Sequence, residues 1–113
     1  MMPIQMRVTG TGNSTAIIPD FMQNPFNISI GCVLGTAAGT FSVQHTFDYS
    51  TVMSPTWNGS SGVTWFNNTG INAATASVSG NYAFPVAAIR LNVSGAVATT
   101  TVDVSITQAS NAP

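Results

Sequence analysis

The side chains that most often do chemistry in proteins are scarce in this sequence. It has one histidine, His45, one cysteine, Cys32, and three scattered aspartates. His45 and Asp48 lie three residues apart at the end of an alternating segment, so they occupy opposite faces of a strand or straddle its end. A general base and the carboxylate that orients it do not meet in that geometry. No G-x-S-x-G motif nominates a serine nucleophile, and no ligands show metal-site spacing. The sequence predicts no catalysis, metal or cofactor.

His45 and Cys32 both fall on faces that the alternation makes apolar. His45 shares its face with Phe41, Val43 and Phe47, which predicts a hydrogen-bonded histidine in the core or at its edge. The alternative is a pH-sensitive interface contact, because the ordinary pKa of histidine is close to neutral pH. Cys32 is predicted to be a small core residue rather than a reactive thiol. With no second cysteine in the chain, it makes no intrachain disulfide.

Trp57, Trp65 and Phe66 interrupt a region, residues 48–80, that consists largely of Ser, Thr, Asn and Gly. Exposed aromatic rings among polar residues can stack on sugar rings, which would make the chain a carbohydrate-binding module. The other interpretation is that the rings cover an open end of the domain or become buried in a neighbouring subunit. Both interpretations stay open at the level of the sequence.

Charge is nearly absent from the chain, which has two arginines and three aspartates, no Lys or Glu, and a net charge of -1. Exposed helix faces usually carry Lys and Glu, so the composition favours an all-β protein. No basic cluster is present to neutralise phosphates or to attract an anionic membrane. No apolar segment approaches the ~20 residues of a membrane-spanning helix. We expect no nucleic-acid or membrane partner, and a protein that works inside an assembly.

Period-two alternation predicts strands along much of the chain. The clearest are residues 26–34, 41–47, 87–93 and 102–106; shorter ones are residues 4–9 and 15–18, with two more in 48–80. Seven or eight strands with turns at roughly ten-residue intervals predict one antiparallel β-sandwich domain over residues 1–113, Ig-like or jelly-roll. Residues 1–9 are predicted to form an N-terminal strand or an arm towards a neighbour.

Two pairs of consecutive strands are predicted to form hairpins. One joins residues 26–34 to 41–47 through the turn-rich link 35–39, and the other turns at residues 95 and 96. The second hairpin places Arg90 on the face opposite Ile89 and Leu91, diagonal to Asp103. We therefore expect a structural ion pair between Arg90 and Asp103.

Several segments of the chain resemble, in type and order, those of a group of small virion proteins of tailed bacteriophages. They are "PDFMQNPFNISIGCVLG", "FSVQHTFDYS", "SPTW", "VTWFN", "NYAFPVAAIRLNVSG" and "VSITQ". The resemblance runs from about Pro19 to Gln108, and its most specific part is the P-V-x-A-I-R-L-N-V element. It implies a non-enzymatic β-sandwich protein of the phage particle.

Within that class we expect a capsid decoration, or cement, protein that binds the outer shell and stabilises contacts between major capsid subunits. The resemblance implies a location on the capsid surface after synthesis in the host cytoplasm, and a homo-oligomer, with a trimer favoured. A component of the tail or of the head-tail junction is one alternative, and a carbohydrate-binding module is the other. The residues nominated for an interface are Trp57, Trp65, Phe66, Tyr82, Met1, Met2, Ile4 and Met6.

Overall fold

Strands make up most of the regular structure in the computed structural model, which describes residues 3–22, 26–35, 37–59 and 61–108. The strands are β1 Ile4–Thr9, β2 Gly12–Asn13, β3 Ile28–Leu34, β4 Thr40–Thr46, β5 Phe66–Asn67, β6 Val78–Tyr82, β7 Ala88–Ser94 and β8 Thr101–Gln108. One short helix, α1 Tyr49–Val52, follows β4. The prediction of an all-β chain is confirmed.

The strands form two antiparallel sheets of four. Sheet A has the order β1-β8-β3-β6, and sheet B has the order β2-β7-β4-β5. Strand β1 pairs with β8, β2 with β7, β3 with β6 and β4 with β5, and successive pairs alternate between the two sheets. A long antiparallel ribbon folded over on itself in this way is a jelly roll. The predicted β-sandwich is confirmed, and its strand order is that of the jelly-roll alternative.

Both predicted hairpins are wrong. Strands β3 and β4 lie in different sheets, and so do β7 and β8. The links at residues 35–39 and 95–100 therefore cross from one sheet to the other. Gly95 has a positive φ of 60°, but its turn leads across the sandwich instead of back along β7. Consecutive strands usually pair, whereas among the described strands of this jelly roll only β4 and β5 do so.

The predicted ion pair between Arg90 and Asp103 is wrong for the same reason. Asp103 on β8 is in register with Arg7 on β1. Nε and Nη2 of Arg7 donate to its carboxylate at 2.6 and 3.0 Å. These hydrogen bonds raise the pKa of Arg7 and lower that of Asp103. Arg90 does face away from the core, as predicted, and its Nε donates to Oε1 of Gln44 at 2.8 Å.

The N-terminal residues form a strand of the domain's own sheet rather than an arm. Strand β1 runs along β8 over its whole length, from the Ile4–Ile106 pair to the Thr9–Thr101 pair. Ile4 and Met6 are half-buried there, and Met6 packs against the core. Met1 and Met2, also nominated for an interface, lie outside the described residues.

The core lies between the two sheets, where alternate residues of each strand point inward. Strand β7 contributes three side chains that are at most 1% exposed, and β3 and β8 contribute similar rows. Cys32 is 2% exposed in this core, and burial raises the pKa of its thiol to about 11, so the prediction of a core cysteine is confirmed. The inward-facing residues of these three strands are Ile28, Ile30, Cys32, Ile89, Leu91, Val93, Val102, Val104 and Ile106.

A buried threonine joins the links at one end of the sandwich. Oγ1 of Thr100 donates to the carbonyl oxygen of Ala38 at 2.8 Å and accepts the N–H of Val97 at 3.2 Å. The Thr100 carbonyl accepts the N–H of Gly10 at 2.8 Å. A Cβ on Gly39 would lie 2.9 Å from the Thr100 methyl group, so glycine permits the close approach. One residue thus connects three links: its side chain joins the β3–β4 and β7–β8 links, and its backbone carbonyl joins the β1–β2 link.

Thr100→Val tests this connection. Valine has nearly the same shape but leaves the Ala38 carbonyl and the Val97 N–H without their partner, so we expect the free energy of unfolding to fall by about 1–3 kcal/mol. Urea denaturation measures this loss. Thr99→Val, at an exposed neighbouring position, should change stability by no more than ~0.5 kcal/mol. Equal effects of the two substitutions would contradict the role given to Thr100.

Candidate functional site

The other end of the sandwich carries aromatic side chains. Strand β4 continues its inward-facing row from Phe41 and Val43 to His45 near its C-terminal end. His45 meets Tyr82, the last residue of β6 in the opposite sheet, with ring centroids 4.9 Å apart at an interplanar angle of 79°. A hydrogen bond of 2.8 Å joins Nδ1 of His45 to the Tyr82 hydroxyl oxygen. This buried pair links the two sheets beneath the surface.

Three phenylalanines surround His45 at the surface, and we call Phe47, Phe66 and Phe84 the aromatic patch. Their ring centroids lie 5.1, 6.0 and 5.6 Å from that of His45, respectively. Phe47 is also 5.7 Å from Phe66 and 6.0 Å from Phe84. The three rings therefore form one contiguous surface, although they come from three distant parts of the chain.

The aromatic patch is exposed to an extent that the fold does not require. Phe47, Phe66 and Phe84 are 44%, 47% and 46% exposed. With roughly 200 Å² for each free side chain, the patch leaves roughly 270 Å² of aromatic surface in contact with water. The largest apolar patch on a typical soluble monomer covers about 300–600 Å² and is often functional. The aromatic patch is close to the lower end of that range, so its contiguous aromatic rings rather than its area make it a candidate binding surface.

Close packing holds the patch residues in place. Phe66 of β5 is in register with His45 of β4. Beside it, the buried side chain of Asn68 donates from Nδ2 to the Asn81 carbonyl at 3.0 Å and accepts the Gly70 N–H at 2.9 Å. This amide ties the segment after β5 to β6, the strand that ends in Tyr82. The patch therefore lies on strand ends whose positions are determined by both sheets.

The charged residue next to the patch in the sequence is Asp48, and its carboxylate is directed away from the patch. Asp48 follows Phe47, and its Oδ2 accepts the Thr64 N–H at 2.7 Å and the Thr46 hydroxyl at 3.1 Å, which turns the carboxylate towards the loop over residues 49–65. Burial lowers the pKa of His45, which favours the uncharged imidazole. Burial also raises the pKa of Tyr82, which keeps the phenol protonated. An apolar, uncharged partner surface matches this environment.

The structure separates the residues that were nominated for an interface. Phe66 lies in the aromatic patch. The nomination of Tyr82 is wrong, because Tyr82 is 0% exposed and belongs to the core. Tyr82 is the last residue of β6 and its side chain faces the opposite sheet, so it is buried instead of exposed at an interface. His45 is 6% exposed and hydrogen-bonded, which confirms the core-edge interpretation.

Trp57 and Trp65 lie elsewhere, on the outer side of sheet B. Both are half-buried against a small apolar cluster of Val52, Ala87 and Ala88, which attaches the loop over residues 49–65 to the sheet. The guanidinium of Arg90 lies 4.3 Å from the centre of the Trp65 ring, within the range of a cation-π contact. The two tryptophans thus hold a loop on the sheet and do not extend the aromatic patch.

Phe47 and Phe84 are patch residues that the sequence analysis did not nominate. Phe47 continues the alternation of β4 past the end of the strand at Thr46, so the pattern alone makes it a core residue. Phe84 follows β6 and precedes Pro85. In the structure each of these residues lies just beyond the end of a strand, at Thr46 or at Tyr82, and the sequence does not reveal these strand ends, because the alternation extends the first strand to residue 47.

Comparison with known proteins yields no relative. No protein-family model, no curated protein and no solved structure matches the chain. Within residues 3–22, 26–35, 37–59 and 61–108, no three His, Cys, Asp or Glu side chains are grouped to hold a metal ion. In the same ranges, no helix is long and apolar enough to cross a membrane.

The buried His45 predicts a pH-dependent stability. Because its folded-state pKa is lowered, the unfolded chain takes up a proton that the folded chain does not as the pH falls below about 6.5. The free energy of unfolding should therefore fall from pH 7 towards pH 5, by at most about 1.4 kcal/mol per pH unit. Urea denaturation at several pH values measures the slope.

His45→Gln should remove the slope in this window, whatever its effect on stability at pH 7. Asp103→Asn is the control. Because the pKa of Asp103 is lowered in the folded state, ionised Asp103 stabilises the fold at pH values above its ordinary pKa, near 4, and this contribution is lost only as the pH falls through the folded-state pKa. Asp103→Asn should therefore keep the slope between pH 7 and pH 5. An unchanged slope in His45→Gln would show that another group titrates.

Proposed function

We propose that this chain is a non-enzymatic structural protein of a tailed-bacteriophage particle, which binds the outer capsid shell through the aromatic patch. The observation that carries the proposal is the patch itself, three half-exposed phenylalanines at or just beyond strand ends with no charge among them. The jelly-roll fold occurs in viral capsid proteins and in lectins, but a fold alone does not define a function.

The segments that resemble phage virion proteins supply the patch. "FSVQHTFDYS" contains His45 and Phe47, "VTWFN" contains Phe66, and "NYAFPVAAIRLNVSG" contains Tyr82 and Phe84. These segments are distant in sequence and meet at one end of the sandwich. All three patch residues therefore lie within segments that carry the sequence resemblance, which extends over most of the chain.

The size of the patch favours attachment in many copies. A stable interface buries about 800 Å² per partner, about three times what the three rings expose. The patch thus suits the apolar centre of an interface whose remaining area comes from the neutral polar residues around it. On a symmetric shell, a modest interface is repeated at every equivalent position, and links between neighbouring copies increase the overall affinity.

The number of copies per particle tests the location. We expect hundreds of copies, in a ratio near parity with the major capsid protein, when purified virions are analysed by quantitative mass spectrometry. A dozen copies or fewer would contradict a place on the shell and would favour the tail or the head-tail junction.

Substitutions in the patch test the mode of binding. Phe66→Ser and Phe84→Ser should each weaken binding to shells that lack the protein by roughly tenfold or more, because each removes an aromatic anchor. Co-sedimentation with the shells measures the affinity. Val97→Ser is the matched control, since Val97 is 56% exposed in the link at the opposite end of the sandwich. Equal binding by all three variants would exclude the patch as the contact surface.

A further inference from the structure

A second surface feature lies on the loop that follows β4. Residues from α1 and the turns after it line an open pocket of about 260 Å³. The pocket is built above the apolar cluster that attaches this loop to the outer side of sheet B, and Trp57 belongs to both. Its lining residues are Thr51, Ser54, Thr56, Trp57, Asn58 and Ser61.

Local hydrogen bonds hold the pocket wall in shape. The indole N–H of Trp57 donates to the carbonyl of Ser61 at 2.8 Å, and the backbone N–H of Trp57 donates to the carbonyl of Ser54 at 3.1 Å. Oδ1 of Asn58 accepts the Ser61 N–H at 2.9 Å. These contacts orient the Trp57 ring without any bound molecule, so a ligand would meet a wall that is already formed.

The lining combines one aromatic ring with five neutral polar side chains, none of which is charged. A pyranose sugar has the complementary surface, with an apolar C–H face on the ring and hydroxyl groups around its edge. The C–H face packs on an indole, and the hydroxyls exchange hydrogen bonds with Ser, Thr and Asn side chains. A charged ligand would find no counter-ion here. The hydroxyls of Ser54 and Thr56 already bond each other at 3.1 Å, and Oγ of Ser61 accepts a hydrogen bond from Nδ2 of Asn58, so a ligand meets the remaining hydrogen-bonding capacity of these hydroxyls.

We propose that this pocket binds a neutral saccharide of one or two sugar rings, with Trp57 as the stacking platform. The volume is just below the 300–1,000 Å³ that is typical of small-molecule sites, which limits the occupant to a small unit or to the end of a longer glycan. The site is separate in residues from the aromatic patch, so it does not depend on the proposed attachment to a capsid. In a particle with many copies, weak sites of this kind would add up to appreciable binding to a glycan-coated surface.

Binding can be measured on the full chain with neutral probes. We expect saturable changes in tryptophan fluorescence, and saturation-transfer NMR signals, with at least one of maltotriose, diacetylchitobiose and lactose at millimolar concentration. Trp57→Ala should weaken binding roughly tenfold or more, and Trp57→Phe, which keeps a ring, should weaken it less. Thr56→Ala, at an exposed position on the rim, should lower the affinity while leaving the melting temperature unchanged.

Several results would overturn the saccharide site. They are the absence of saturable binding to the three probes and to a panel of neutral glycans, undiminished binding by both Trp57→Ala and Thr56→Ala, and tighter binding of sialyllactose than of lactose. Phe84→Ser separates this proposal from the attachment proposal, because it should keep saccharide binding and lose shell binding. Trp57→Phe should show the reverse pattern, with full shell binding and weakened saccharide binding.

Discussion

The packing of two apolar sheet faces against each other is the interaction on which the rest of this structure depends. Neither sheet is stable alone, since each must bury its inner face. With almost no charged side chains, the outer faces satisfy their polar groups through neutral pairs, such as Asn92 with Asn13 and Gln44 with Asn67. The single described salt bridge joins exposed residues of β1 and β8, and exposed pairs contribute little to stability. Burial and neutral hydrogen bonds therefore determine the architecture.

Much of the fold follows from the alternation in the sequence, because alternation depends only on which face of a strand is buried. It correctly assigns Ile30, Cys32 and Leu91 to the core, and it turns Arg90 outward. Alternation does not show which strands pair with each other. A strand with a buried inner face can pair with any strand of suitable length, and proximity in sequence favours hairpins. The jelly roll instead places β3 and β4, and β7 and β8, in opposite sheets. The expected Arg90–Asp103 contact depended on the wrong pairing.

The candidate site could be predicted only in part. Phe66 was nominated because it stands in a polar region, and it is indeed exposed. Alternation gives the face on which Phe47 lies, but not how far along the sandwich it lies, and no alternating segment is predicted around Tyr82. Tyr82 is covered by the opposite sheet, whereas Phe47 projects past its edge. That difference is set by where strands distant in sequence end, which a single sequence does not show.

Neutrality also determines how such a protein can associate with other molecules. Long-range steering by charge raises association rates by orders of magnitude, and this chain, with five charged side chains and a net charge of -1, has almost none to offer. A complex formed through the proposed surface would therefore associate at ordinary, unsteered rates, and its affinity would depend on slow dissociation from well-packed contacts. A contact patch of roughly 270 Å² slows dissociation only to a limited extent by itself. Repetition of the contact in a symmetric assembly is the physical means by which so small and neutral a surface can hold its partner firmly.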